Sequence, residues 1–293
     1  MPASARILVL GASGMLGSAV SQRLSACRQW RVDETQNGDP NRPDYMDILE
    51  TESERWLGVL RRGYDYVVNC IGILKPAISN EPASLIRAIR VNALFPHEIA
   101  DAAPGSRIIH MSTDGVFSEN PERPRMETDV LDCTDVYGRT KALGECPAGN
   151  VLNVRCSIIG RDPLGGKGLV EWILRSPEAA VLTGFDNHLW NGVTTRQFAE
   201  LCCRLIQSNS FEQLRRESGV YHFCPNPVIT KYDLLRHIRD AAGSGTVIER
   251  GRSSTAVTRV LGSAYPGLRG IYADAPDWRS TIQDAVGTAA LYQ

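Results

Sequence analysis

Short aliphatic runs that end at glycine or at polar residues alternate with longer stretches whose apolar positions recur every three or four residues. Arg6 to Leu10 (RILVL) reads as a strand, and Met15 to Leu24 (MLGSAVSQRL) as the helix that follows it. Trp30 to Thr35 gives a second strand, about Glu52 to Leu60 a helix, and Tyr66 to Cys70 (YVVNC) a third strand. An amphipathic segment from Ala83 to Ala103 then leads to Arg107–Met111 (RIIHM) as strand four. A helix opening near Val136 and Val151–Arg155 as strand five complete the series. Such alternation implies a parallel sheet with helices wound on both sides. The segment Glu119 to Thr134, rich in Pro, Glu and Asp, is expected to cross one end of that sheet as a polar loop.

Beyond Gly160 the rhythm loosens. Gly165, Gly166 and Gly168 interrupt it, helices are expected at Gln197–Gln207 and Lys231–Ala242, and Ser244 to Pro276 carries no clear period. The expected fold is therefore α/β: a doubly wound parallel sheet of the Rossmann type over residues 1–160. A smaller C-terminal substrate-binding lobe follows over 161–293, with some of its segments returning to the first domain.

Composition narrows the function classes. The 293 residues are 43% apolar and 22% charged, which suits one large domain or two joined lobes. A net charge of -1 and a pI near 6.5 argue against a partner made of phosphates, whether nucleic acid or anionic membrane. No apolar run approaches the roughly 18 residues that a membrane span needs. Met1 to Arg6 leads straight into a strand with no signal-peptide pattern, and the eight scattered cysteines include no CxxC pair. A cytoplasmic protein with reduced thiols is expected. No His, Cys, Asp and Glu grouping has zinc-like spacing, so no metal is expected, and His222 in VYHF reads as a strand residue.

Gly11, Gly14 and Gly17 form GxxGxxG between the first strand and the first helix, where helix amides can hold a pyrophosphate. Such folds usually place a carboxylate or an Arg about 20 residues further on, to read the adenosine ribose. Asp33, Glu34, Thr35 and Asn37 occupy that region, with Arg42 beyond, and they leave NADH and NADPH equally open. Tyr137 and Lys141, four residues apart, share one face of the helix that follows strand four. A cation there would favour the phenolate and bring a phenol into the range of general acid catalysis. Ser112 and Thr113, ending strand four, are the hydroxyl donors for the same carbonyl oxygen.

With these motifs in hand, the chain resembles the extended short-chain dehydrogenases, and among them the dTDP-4-dehydrorhamnose reductase branch. The resemblance is carried by GASGMLG (11–17), MDI (46–48), NCIG (69–72), VNA (91–93), MSTDGVF (111–117), VYGRTKALGE (136–145) and VRCSIIG (154–160), more faintly by WNGVTTRQFAEL and GVYHF. It implies Thr113, Tyr137 and Lys141 as the catalytic set, with Ser112 a neighbour. It implies cofactor contacts at Gly11, Ser13, Gly14, Met15, Leu16 and Gly17, at Asp47 and Ile48 beside adenine, and at Cys70, Ile71 and Gly72. Arg155 to Ile158 would line the nicotinamide side. Two departures stand out: Gly115 where the branch has an aromatic, and a differing segment at Pro266 to Trp278.

For the substrate, Thr113, Trp190 and Arg196 are the leading candidates, with Arg161, Lys167 and His188 as further cations or rings for a nucleotide diphosphate. The expected activity is NADPH- or NADH-dependent reduction of a nucleotide-linked 4-keto-6-deoxy sugar, with a homodimer left open. Two alternatives remain: an epimerase or dehydratase with tightly held NAD, and a sugar-nucleotide-binding subunit that has lost the reaction.

Overall fold

The computed structural model describes residues 4–37, 41–42, 44–49, 53–119, 123–164, 168–273 and 277–286. In the first half, β1 (Arg6–Leu10), β2 (Arg31–Glu34), β3 (Tyr66–Asn69), β4 (Arg107–Ser112) and β5 (Val151–Arg155) alternate with five helices. These are α1 (Met15–Ser25), α2 (Ser53–Leu60), α3 (Pro82–Ala88), α4 (Phe95–Ala102) and α5 (Val136–Leu143). The second half runs β6 (Ile158–Ile159), α6 (Leu169–Arg175), β7 (Val181–Phe185), β8 (His188–Trp190), β9 (Val193–Thr194), α7 (Thr195–Ser208) and α8 (Phe211–Glu217). Then come β10 (Val220–His222), β11 (Ile229–Thr230), α9 (Lys231–Ala242), β12 (Val247–Gly251), β13 (Val257–Arg259), α10 (Gly267–Ile271) and α11 (Trp278–Val286).

Six strands form one parallel sheet in the order β10-β5-β4-β3-β1-β2. The winding reverses between β1 and β3, which opens a crevice at the carboxyl ends of those strands. The apolar runs are buried on both faces. Ile7 and Val9 pack with Leu16, Val20 and Leu24 of α1 and Leu201 and Leu205 of α7. Leu8 and Leu10 face the other way, onto Trp56 and Leu60 of α2 and Phe95 and Ile99 of α4. A separate core joins Val170 and Ile173 of α6, Leu234 and Ile238 of α9, and Trp278 and Ile282 of α11.

Two elements from the second half complete the first sheet. β10 pairs with β5 along its edge, and α7 covers one face against α1. The capping box of Thr194 and Gln197 starts α7, and Asn209 ends it in the left-handed region at φ 51°.

The amphipathic stretch expected as one segment from Ala83 to Ala103 divides into α3, a π-helical turn over Ile89–Leu94, and α4. The stretch from Ser244, without a readable period, holds β12, β13 and α10. β12 pairs with β7 and β13 with β8, partners more than 60 residues away in the chain. Strands of three to five residues held only by distant partners carry too short a pattern to read alone. Among the described residues, no helix is long and apolar enough to cross a membrane.

Candidate active site

The glycine loop lies at the mouth of the crevice. Gly11 has φ +79°, and a Cβ added there would stand 2.9 Å from Ile71. At Gly17 a Cβ would lie 2.1 Å from the Gly11 carbonyl oxygen, so α1 can approach the loop only as glycine. Gly14 differs: its nearest neighbour would be 3.4 Å away, on the loop itself. Gly14 also starts α1 with no side-chain cap and with no acidic residue in the first turn. An uncapped, carboxylate-free helix start beside an open glycine face is chemically fitted to a diphosphate. Ser13 and Met15 are half-buried beside it, whereas the Leu16 side chain belongs to the core, so only its backbone faces the loop.

Thr35 supports the loop from below, its Oγ1 accepting from Gly11 N at 3.2 Å and its carbonyl from Ala12 N at 2.8 Å. The acids at the end of β2 are engaged elsewhere. Asp33 accepts from Tyr64, Arg31 and Arg6, and Glu34 from the Ser21 hydroxyl. Arg42 makes a two-pronged pair with Asp44 at 2.9 and 2.8 Å. Met46 N donates to Gln36 O, which brings Asp47 and Ile48 to the carboxyl end of β2, with Ile48 packed in the same core as Ile71.

The segment after β3 is held by two asparagines. Asn69 Oδ1 accepts from Ile71 N at 3.1 Å, and Asn92 pairs with both backbone groups of Ile73, at 2.8 and 2.9 Å. Asn92 sits in the π turn, whose extra residue breaks the helical register at this point. It thereby fixes the Cys70–Gly72 segment across from the glycine loop. Sequence reading singled out VNA without a role for its asparagine; a polar residue inside an amphipathic helix was the available signal.

β4 ends at Ser112 and Thr113, but the two hydroxyls do different things. Ser112 is fully buried and donates to Glu145 Oε1 at 2.6 Å, so of the two expected donors only Thr113 remains at the crevice. A Cβ built on Gly115 would stand 3.2 Å from Tyr137 Cε1 and 3.3 Å from Thr113 Oγ1, which places the phenol ring and the hydroxyl around this glycine. Asp135 caps α5 through Gly138 N at 2.8 Å, and this start sets Tyr137 on the turn facing β4.

The Tyr137 phenol is not lowered as expected from a neighbouring cation, because burial acts more strongly on it. Lys141 Nζ turns toward the sheet and donates to Met111 O at 2.7 Å. Tyr137 and Lys141 both lie in α5, one turn apart as their spacing implies. Burial pushes the Tyr137 phenol up to about 12, with Thr113 and Arg259 pulling the other way. Tyr137 consequently keeps its proton at neutral pH, the state needed in an acid. Burial also pulls Lys141 down to about 8, against the opposing pull of Glu145.

A folded-state value of about 8 below the ordinary 10.5 means that the unfolded chain binds more protons between those limits. Wild-type protein should therefore gain stability relative to Lys141→Met as pH rises through that window, as read from urea unfolding. A difference that stays constant across it would show that Lys141 is not held in this buried state.

Beneath the site runs a buried polar network. Arg155 donates to both oxygens of Glu145, at 2.7 and 2.6 Å, and approaches His222 Nε2 at 3.4 Å. His222 N and Ser263 donate to Glu127, and His222 Nδ1 meets Gly262 O at 2.7 Å. Arg155 is thus committed beneath the sheet end, and His222 is a buried strand residue. Asp114, beside Thr113, is the carboxylate that kept a dehydratase open, whereas Glu145 and Arg259 carry no local signal for their roles. Arg259, from β13, lies 3.7 Å from Asp114 and 3.1 Å from Glu119.

The substrate candidates of the second lobe are dispersed. Trp190 stacks on Trp278 with ring centroids 5.3 Å apart, and Arg196 pairs with Asp284 at 2.7 Å. Arg161 pairs with Glu171 and His188 with Ser253, both at 2.8 Å. Lys167, Gly165 and Gly166 lie outside the described residues.

Residues 5–266 match the family described as the RmlD substrate binding domain. The chain is 27% identical over 246 residues to methionine adenosyltransferase 2 subunit beta of Danio rerio, covering 80% of this chain and 73% of that protein. It is 28% identical over 239 residues to dTDP-4-keto-6-deoxy-D-glucose reductase of Streptomyces niveus, covering 79% and 76%. The fold superposes with a TM-score of 0.74 on dTDP-4-dehydrorhamnose reductase of Bacillus anthracis in complex with NADP. That match covers 98% of this chain and 100% of that one at 17% identity.

Proposed function

The chain belongs to the RmlD substrate binding domain family, and on that basis we propose that it reduces the keto group of a nucleotide-linked 4-keto-6-deoxy sugar with NADPH or NADH. The observation that carries this reading is the meeting of Thr113 and Tyr137 around Gly115, at the end of the crevice that the glycine loop opens. A relative named as a dTDP-4-keto-6-deoxy-D-glucose reductase and a structural neighbour holding NADP support it.

The uncapped start of α1, with Gly11, Ser13, Gly14, Met15, Leu16 and Gly17, would hold the cofactor's diphosphate, and Asp47 and Ile48 its adenosine end. Cys70, Ile71 and Gly72 would flank its middle. When bound, the reduced nicotinamide supplies a hydride. Thr113 Oγ1 and Tyr137 Oη then hold the ketone oxygen, and Tyr137 delivers its proton there as the alcohol forms. Lys141, buried under β4 and α5, would face the nicotinamide ribose. Residues 1–160 form the cofactor side, and 161–293, apart from β10 and α7, the substrate side, where Trp190 and Arg196 remain the candidates.

Eight free cysteines fit a reducing compartment, and we place the protein in the cytoplasm. A homodimer belongs to the same reading, with the exposed Ile86, Ile89 and Leu143 on neighbouring turns as the apolar face open to a second copy.

The Danio rerio relative, named as a subunit of another enzyme, favours a second reading: a binding subunit with a retained pocket. One assay separates them. Purified protein is mixed with NADPH or NADH and dTDP-, UDP- or GDP-linked 4-keto-6-deoxy sugars, while thermal midpoint and nicotinamide absorbance are followed. The reductase reading expects stabilisation by the cofactor, about 2.7 kcal/mol at 100 times its dissociation constant, and loss of reduced nicotinamide with one nucleotide class. Stabilisation without any loss would assign the chain to the binding-subunit reading.

A further inference from the structure

A threonine hydroxyl has one proton and two lone pairs, and the surroundings of Thr113 already claim most of them. Gly115 N donates to Oγ1 at 3.0 Å, Asp114 Oδ1 lies 3.1 Å away, and the Tyr137 ring packs against the same glycine. An ionised Asp114 can only accept. It would take the single proton of Thr113 and leave that hydroxyl nothing to offer a ketone. If Asp114 carries a proton on Oδ1, the bond reverses: Thr113 accepts from Asp114 and Gly115, and its own proton turns toward the Tyr137 side.

The pocket around Asp114 favours the neutral form. The residue is 7% exposed, and its Oδ2 is buried with no hydrogen-bond partner. A bare carboxylate oxygen in that position is costly. The facing cation is Arg259, whose Nη1 stays 3.7 Å from Oδ2 while Nη2 is drawn to Glu119 at 3.1 Å. Arg125 lines the same pocket but is drawn to Asp132 at 2.7 Å, and Tyr137 from α5 and Cys156 after β5 are both pushed by burial toward their neutral forms. Burial likewise pushes the Asp114 carboxyl up, against the pull of Arg259 and Thr113.

We propose that Asp114 is a positioning residue: it holds a proton and donates it to Thr113 Oγ1, turning the Thr113 hydroxyl outward as the second donor to the substrate ketone. The ketone in this statement rests on the reductase reading, whereas the direction of the Asp114–Thr113 bond is a property of the protein alone.

The first test is therefore independent of turnover. Infrared difference spectra of wild type against Asp114→Asn at neutral pH should show the carbonyl stretch of a protonated carboxylic acid, shifting in D2O. Only carboxylate bands would overturn the proposal. The second test is the pH profile of kcat/KM. Wild type should fall as pH rises and Asp114 ionises, and Asp114→Asn, whose amide donates to Thr113 in place of the acid, should start from a lower level and lose that component, keeping only the fall that Lys141 brings. Asp114→Leu, which offers no donor, should lose on the order of 10- to 100-fold. An alkaline limb unchanged in Asp114→Asn would belong to another group and would sink the proposal. If the acid band is present and no ketone is reduced, the hydrogen-bond assignment stands and the reductase reading fails.

Discussion

Tyr137→Phe should lower turnover about 100-fold or more while leaving cofactor binding and the thermal midpoint close to wild type. The change removes one oxygen from a ring packed around Gly115 and leaves its volume in place. α5 is held by other groups: Asp135 caps it, and Lys141 ties it to Met111. What disappears is the proton that burial holds on Tyr137 up to about 12. Steady-state rates with the best nucleotide sugar, compared with cofactor titration by nicotinamide fluorescence, separate the two effects. Equal turnover in wild type and variant would remove Tyr137 from the reaction, and parallel loss of cofactor binding would make it a binding residue.

The largest expected effect on stability lies below the site, at Glu145 and Arg155. Their side chains are 7% and 5% exposed and share two short hydrogen bonds, with Ser112 adding a third to Glu145. Removing one partner leaves the other as a buried, uncompensated charge. Glu145→Ala should therefore cost roughly 3–5 kcal/mol in urea unfolding. The pair Glu145→Leu with Arg155→Met, which removes both charges, should recover most of that loss or all of it. A double variant as unstable as Glu145→Ala would mean that the hydrogen bonds to Ser112 and His222 dominate over desolvation. Because Ser112 precedes Thr113 and Glu145 follows α5, the same variants are expected to loosen the catalytic geometry, seen as a lower kcat in whatever fraction stays folded.

Much of the first half was legible because its signals are local. β1 and β5 match the expected strands at both ends, and α9 falls on Lys231–Ala242 as read. An aliphatic run of five followed by glycine, or apolar positions at helical spacing, needs no distant partner to be recognised. Thr113, Tyr137 and Lys141 were legible for a related reason: a strand end and one helical turn fix their order and spacing. What they do electrically was not. The reach of Lys141 to Met111, the commitment of Ser112 to Glu145, and the engagement of Asp33 and Glu34 with Tyr64 and Ser21 each depend on a side chain from another element.

The sequence by itself determined the alternation of strand and helix, the glycine loop at the mouth of the sheet and the hydroxyl, phenol and ammonium that follow β4. The glycines and the pair Tyr137 and Lys141 are written in spacings of three or four residues, over which backbone geometry alone decides what neighbours what. Only the tertiary structure decided that β10 and α7 join the first sheet, that Arg259 faces Asp114, and that the Asp114 carboxyl is buried against Thr113. Those outcomes come from burial, which changes the cost of a charge, and from pairings between residues more than sixty positions apart, on which no local pattern bears.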